Sequence, residues 1–152
     1  MSLDLTEIRV LSLWQPYATL MAIEAKKVET RSWKTPFRGL VAIHSAKRWT
    51  PEMRRQTELE PFRSALWPEQ QKINPLPLGC VLAVGELYHI HHSEWFTHFE
   101  GDERAFGDYS RGRFGWLFKN MIRLKVPIAY RASQGMPRAR TELIEKLREV
   151  GF

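Results

Sequence analysis

The sequence predicts an α+β fold, a small β-barrel with flanking helices, formed as a single domain over residues 1–152. Three observations predict it. Short apolar runs of strand character are interspersed with helical periodicities, and no βα unit repeats, which argues against a doubly wound sheet. The stretch 79–90 is apolar on both faces, as a strand at the centre of a sheet or barrel is. With 43% hydrophobic and 26% charged residues, 152 residues suffice for an independent core.

Each element follows from local chemistry. Residues 9–14 read as a first strand. Pro16 then opens a helix in which Tyr17, Leu20, Met21 and Ile23 recur at helical spacing, ending over 24–27 without a Gly cap. Residues 28–33 and 37–45 are expected strands, separated by a turn at Thr35-Pro36. Thr50 as N-cap and Pro51 at the first helical position start a helix to about residue 59, which Glu60-Pro61 interrupts. Pro68, Pro75 and Pro77 mark a loop before the strand at 79–90. Ser93 is the expected cap of a short helix over 93–99, and 100–113 is polar and Gly-containing, the composition of a mobile loop. Two strands are expected at 114–120 and 121–130, with Pro127 confining the second to an edge or bulge. A turn at 132–135 precedes a charged terminal helix over 139–150.

Composition bounds the function. The lone Cys80 has no internal disulfide partner and sits in an apolar run, as a buried thiol in a reducing compartment would. Residues 1–7 carry acids and lack the basic-then-apolar order of a signal peptide, and no apolar run reaches membrane-spanning length. A cytoplasmic, soluble protein without membrane partners is expected. The formal charge is +6, and its excess is concentrated: residues 104–140 hold nine basic side chains, seven of them Arg, and one acid, Asp108. Such a segment is either the footprint of a polyanion partner or a solvated face, and guanidinium forks suit phosphate oxygens. Six Trp and eight Phe supply core and also faces on which bases stack.

The densest chemistry lies at 26–39. On an extended strand Glu29, Arg31 and Trp33 share one face, with Lys26 just upstream. A carboxylate, a guanidinium and an indole together can hold a planar hydrogen-bonding ligand such as a nucleobase. The alternative is a surface ion pair beside a core indole.

Glu24-Ala25-Lys26-Lys27-Val28-Glu29-Thr30-Arg31 resembles the signature Gly-x-Lys-x-x-Glu-x-Arg of the ASCH (activating signal cointegrator homology) domain family, in the PUA-like superfamily. Lys26, Glu29 and Arg31 match, whereas Glu24 stands where Gly is usual, a departure that touches the turn after the helix. Residues 11–18, 32–39, 43–47, 79–88 and 114–116 are also similar, and the resemblance spans about residues 8–135, nearest to the branch with the carboxy-terminal domain of a eukaryotic transcriptional coactivator. It implies a PUA-like β-barrel with a cleft between the barrel and the first helix, lined by the signature residues. It also implies binding of RNA or a modified base there; some small bacterial members similar in fold are amidohydrolases of acylated cytidines, and others are ribonucleases.

The leading reading is therefore an RNA- or nucleotide-binding module. Its candidate ligand-binding residues are Trp14, Lys26, Glu29, Arg31, Trp33, Arg38, His44 and Gln134, with Arg111, Arg113, Arg123, Lys125 and Arg131 contacting backbone phosphates. The partner would be RNA, another single-stranded nucleic acid, or a modified nucleoside or nucleotide. The alternative is a nucleoside amidohydrolase or ribonuclease using Lys26, Glu29 and Glu86. By strand alternation Glu86 shares an apolar face with Cys80, Leu82 and Val84, so it needs a partner, either Lys26 across the cleft or a structural salt bridge. The amidohydrolase-like members place a Thr where this chain has Glu29, which removes the obvious nucleophile. Both readings require one geometry, convergence of Lys26, Glu29, Arg31 and Glu86 on one solvent-reachable cavity, and both fail without it. A third reading takes Leu143, Ile144 and Leu147 as a stripe for a protein partner, against packing on the chain's own barrel. His44 is read as a cleft residue or a satisfied core histidine, and Gln134 as a base reader or turn residue. His89, His91, His92 and His98 lack the further ligands of a metal site, so no metal or cofactor is expected.

Overall fold

A computed structural model describes residues 3–71 and 75–152. The elements run β1 (Arg9–Leu13), α1 (Tyr17–Ala22), β2 (Val28–Arg31), β3 (Gly39–Ser45), α2 (Pro51–Thr57), α3 (Phe62–Gln70), β4 (Cys80–His92), a 3-10 turn (Ser93–Phe96), α4 (Gly101–Ala105), β5 (Phe114–Ala129) and α5 (Thr141–Glu149). The strands form one mixed sheet in the order β1-β3-β4-β5-β2, in which only the β1–β3 pair is parallel. The result is an α+β half-barrel, with β1 and β2 as its two unclosed edges.

The first half of β4 is buried on both faces of the sheet, which is why 80–85 reads as apolar. Leu11, Val41, Ile43 and Leu82 pack with Ala18, Met21 and Ala22 of α1 on one face. Val10, Ala42, Val81 and Val84 pack with Leu143 and Leu147 of α5 on the other. The apolar stripe of the terminal helix is thus consumed by the chain's own core, where Leu143 and Leu147 are fully buried.

Local chemistry sets the ends of α1 and α2. Gln15, fully buried, accepts from the Thr19 amide at 3.0 Å and donates to the Thr19 hydroxyl and the Pro77 carbonyl, tying down the first turn of α1. Beyond α1, Glu24 takes the left-handed conformation (φ 62°) that a Gly there would adopt freely. Thr50 caps α2 as expected, its hydroxyl accepting from the Met53 amide at 3.2 Å.

Several expectations are corrected. The 60–77 region is not all loop: α3 forms despite Pro68, because Phe62 and Leu66, one turn apart, both bury against α1 and Phe106. Met1, Ser2 and residues 72–74, which fall in the acidic terminus and the proline loop read above, lie outside the described residues. Ser93 caps no helix; its hydroxyl donates to the Ser110 carbonyl at 2.8 Å. The polar stretch 100–113 contains α4, whose Glu103 carboxylate accepts from the amides of Lys27 and Val28. The two strands expected at 114–130 are one 16-residue strand, with Asn120 at φ 54° where the break was read. β2 pairs only with Phe114–Leu117, so Pro127 does fall on an outer edge.

Candidate functional site

The open seam of the half-barrel gathers the candidate site residues Glu29, Arg31, Trp14 and Trp33. On β1, the outward backbone groups of Ile8 and Val10 are covered by hydrogen bonds to Ala139 and Pro137. Leu13 turns its carbonyl inward to the Ala46 amide, so that of Ser12 faces the seam. Arg31, on the opposite edge, donates to the Ser12 carbonyl at 2.6 Å and so bridges the seam with its guanidinium.

On one side of this bridge lies a cavity of about 480 Å³, lined by Trp14, Tyr17, Glu29, Thr30, Trp33, the 106–108 segment and Arg113. Glu29 is its acceptor. One carboxylate oxygen lies 3.5 Å from Lys26 Nζ; the other faces Arg31 Nε at 3.3 Å without hydrogen-bond alignment. A carboxylate has about four lone-pair sites, so Glu29 keeps capacity for a further donor. Lys26 does not line the cavity. It lies behind Glu29, 1% exposed, donates to the Phe106 carbonyl at 2.5 Å, and its ammonium sits 5.5 Å from the Tyr17 ring centre. Burial holds the Lys26 pKa below the usual lysine value, against the pull of Glu29 and Glu103. Burial likewise raises that of Tyr17, whose hydroxyl accepts from Gln56 at 3.0 Å.

The wall opposite β2 comes from the segment after α4. Thr30 accepts from the Asp108 amide at 2.9 Å, and Arg113 donates to the carbonyls of Asp108 and Thr30 while pairing with the Asp108 carboxylate. Trp33 stands edge-on to Trp116, ring centres 4.7 Å apart, and accepts from its indole N–H through its carbonyl. Across the Arg31–Ser12 bridge a second cavity of about 750 Å³ shares Ser12, Trp14, Arg31 and Trp33 with the first. His44, Lys47, Tyr130, Arg131 and Gln134 complete it. His44 is buried and satisfied: Nε2–H donates to the Tyr130 carbonyl and Nδ1 accepts from the Ser12 hydroxyl, both at 2.7 Å.

Other candidates lie elsewhere. Glu86 faces Lys119 at 3.7 Å, over a third exposed, because the register shift at Val81/Ala83 puts Leu82 and Ala83 in the same core cluster and breaks the alternation counted from Cys80. The four-residue condition therefore fails, and with it both readings in the form given above: Glu29 and Arg31 line the cavity, Lys26 stands buried behind Glu29, and Glu86 lies elsewhere. The hydrolase reading loses its Lys26–Glu86 pair, and a binding reading keeps Glu29 and Arg31 at the cavity only with Lys26 moved to a supporting position behind Glu29. Arg38 turns its guanidinium onto the carbonyls of Thr35 and Phe37 in its own turn. Arg123 is held by both oxygens of Glu69, so its fork is engaged within the protein. The basic residues are not one track: Arg113 lines the first cavity and Arg131 the second, while Lys125 flanks Arg123 on the outer stretch of β5 and Arg111 sits in an exposed turn. His91 stacks on Trp95 with ring centres 4.0 Å apart, and His89 and His98 pack at the edges of this pair; among the described residues no three His, Cys, Asp or Glu side chains gather as a metal set. Sequence reasoning missed Tyr17, read as core, and the 106–108 wall, whose one signal was an aromatic residue inside a polar stretch.

No family model matches the chain. Over 78 residues, 51% of the chain, it is 35% identical to activating signal cointegrator 1 of Homo sapiens and equally to that of Mus musculus. The match spans only 13% of the length of these curated relatives. The fold is similar to the crystal structure of ASCH from Zymomonas mobilis, with a TM-score of 0.58 and 16% identity over 95% of both chains. A mutant of that protein gives a TM-score of 0.59, again at 16% identity, over 95% of this chain and 98% of the other. These similarities show the fold, an α+β half-barrel like that of the Zymomonas mobilis ASCH protein, and a sequence similarity between half of the chain and part of activating signal cointegrator 1.

Proposed function

We propose that the 480 Å³ cavity binds a nucleobase, as part of RNA or a nucleotide. The observation that carries this reading is Glu29, a carboxylate fixed between the ammonium of Lys26 and the guanidinium of Arg31, with an open edge between the rings of Tyr17, Trp14 and Trp33. An anionic acceptor held rigid at the floor of an aromatic cavity suits a base edge presenting ring and exocyclic N–H donors, while the indoles offer faces for stacking. The size falls in the range of small-ligand sites.

Titration of the tryptophan fluorescence with the four ribonucleosides and their monophosphates tests the reading, since Trp14 and Trp33 both line the cavity. Glu29→Gln removes one charge-assisted acceptor, worth about 1.5–3 kcal/mol, so affinity for the preferred base should fall about 10- to 100-fold. Equal affinity in wild type and Glu29→Gln, with both folded by circular dichroism, would refute it.

A further inference from the structure

The two cavities meeting at the Arg31–Ser12 bridge differ in charge chemistry. In the first, each cation has a carboxylate: Arg31 faces Glu29 and Arg113 pairs with Asp108. In the second, no carboxylate is among the lining residues, and Lys47 and Arg131 make no ion pair among the described residues. Lys47 is also placed by the backbone. Its aliphatic stem crosses Gly79 so closely that a Cβ there would lie 3.0 Å from Lys47 Cε. Tyr130, Trp14 and Trp33 supply aromatic surface around these cations. Isolated surface cations are ordinarily solvated, but these two flank a concavity of about 750 Å³ that adjoins the Glu29 cavity, with four lining residues in common.

A free nucleoside would use the first cavity and leave the second without a partner. We infer that the ligand is a strand of single-stranded nucleic acid at least two nucleotides long, with one base in the Glu29 cavity and an adjoining phosphate in the Lys47–Arg131 cavity. This rests on the base-binding reading above and adds to it the ligand class. Arg31 fits the junction: it is anchored on Ser12 and Glu29 yet lines both sides, so its guanidinium marks where sugar-phosphate must cross the seam. A phosphate held by two cations in a partly enclosed site gains charge-assisted hydrogen bonds, and binding acquires a salt dependence.

The test compares a nucleoside, its dinucleoside monophosphate, and ten-residue single-stranded RNA and DNA of the same base, on wild type, Lys47→Glu/Arg131→Glu and Glu29→Gln. Wild type should bind the dinucleoside monophosphate at least about tenfold more tightly than the nucleoside, with log K falling by about 0.7 per log unit of salt for one phosphate. In Lys47→Glu/Arg131→Glu that advantage should vanish and the salt slope should flatten, for RNA and DNA alike if phosphate is what is read. Equal wild-type affinity for nucleoside and dinucleoside monophosphate overturns the inference, as does an advantage that persists in the double variant. Loss of nucleoside binding in Glu29→Gln is scored separately and judges the base cavity alone. Because both substituted side chains are exposed, an unchanged thermal midpoint accompanies the expected result.

Discussion

Replacing Lys26 by Met tests whether a buried ammonium is what holds the site together. Met keeps the length and apolar volume of the side chain, so little cavity is created. The change removes the donor to the Phe106 carbonyl at 2.5 Å and one of the two cations facing Glu29. Breaking a buried pair costs about 3–5 kcal/mol. Part of that is returned, because the lowered pKa of Lys26 records the cost of burying its charge, and because Arg31 still faces Glu29. A net loss of about 2–3 kcal/mol is expected, or about 4–12 °C in Tm for a chain of this size. Urea and thermal unfolding followed by circular dichroism measure it. Lys26→Met/Glu29→Gln should cost about 1–3 kcal/mol less than the sum of the two single changes, since each alone strands the other's partner. The pH dependence has a definite sign. With the folded pKa below the ordinary 10.5, the unfolded chain holds more protons in the interval beneath 10.5, so the Lys26 contribution to stability rises with pH there. The wild type should therefore pull further ahead of Lys26→Met as pH climbs towards 10.5. Additive double-mutant energies together with parallel pH profiles would refute the reasoning.

Glu24→Gly relieves the left-handed strain at φ 62° that ends α1, and should stabilise the protein by about 1 kcal/mol after the entropy of Gly is counted, raising Tm by about 2–4 °C. An unchanged or lowered midpoint would show that the Glu24 side chain does something its exposed position does not reveal. Burial also holds the His44 pKa below 6.5, so on acidification the unfolded chain takes up the proton first and stability falls as pH drops below 6.5. His44→Gln should remove that acid slope, read as urea midpoints at pH 7.5 and 5.5; equal slopes in both proteins would exclude His44 as the cause.

Much of the fold was legible because local chemistry and tertiary packing agree in it. Thr50-Pro51 names a helix start and gets one. Residues 80–85 are apolar on both faces because α1 covers one face of the sheet and α5 the other. The failures share a cause in tertiary contacts that override local punctuation. Pro68 argues for a break, yet burial of Phe62 and Leu66 carries α3 past it. Gly101 and the acids after it read as loop, but Glu103 caps the exposed amides of Lys27 and Val28 at the start of β2, which gives α4 a reason to order. Asn120 marks a bulge in β5, where the register shifts, and the pairing with β4 resumes on both sides of it at Lys119 and Ile122.

At the site, alternation held where a strand is free of bulges and failed where it is not. β2 pairs with β5 in unbroken register from Val28 to Arg31, so Glu29 and Arg31 share a face as counting by twos requires. β4 pairs with the same β5 through three register shifts, and counting by twos from Cys80 to Glu86 crosses the one at Val81/Ala83, where Leu82 and Ala83 join the same core cluster. Glu86 accordingly reaches Lys119 rather than Lys26. The other half of the cleft had no local signature, because it depends on sheet order: Ser12 presents its carbonyl to Arg31 only because β1 is an edge, paired with β3 on one side alone. A half-barrel left open between its first two strands thus turns two ordinary edges into facing walls. The signature on β2 supplies one wall's chemistry, while the cations that distinguish the second cavity, Lys47 after β3 and Arg131 after β5, arrive from strands remote in sequence that β4 holds side by side.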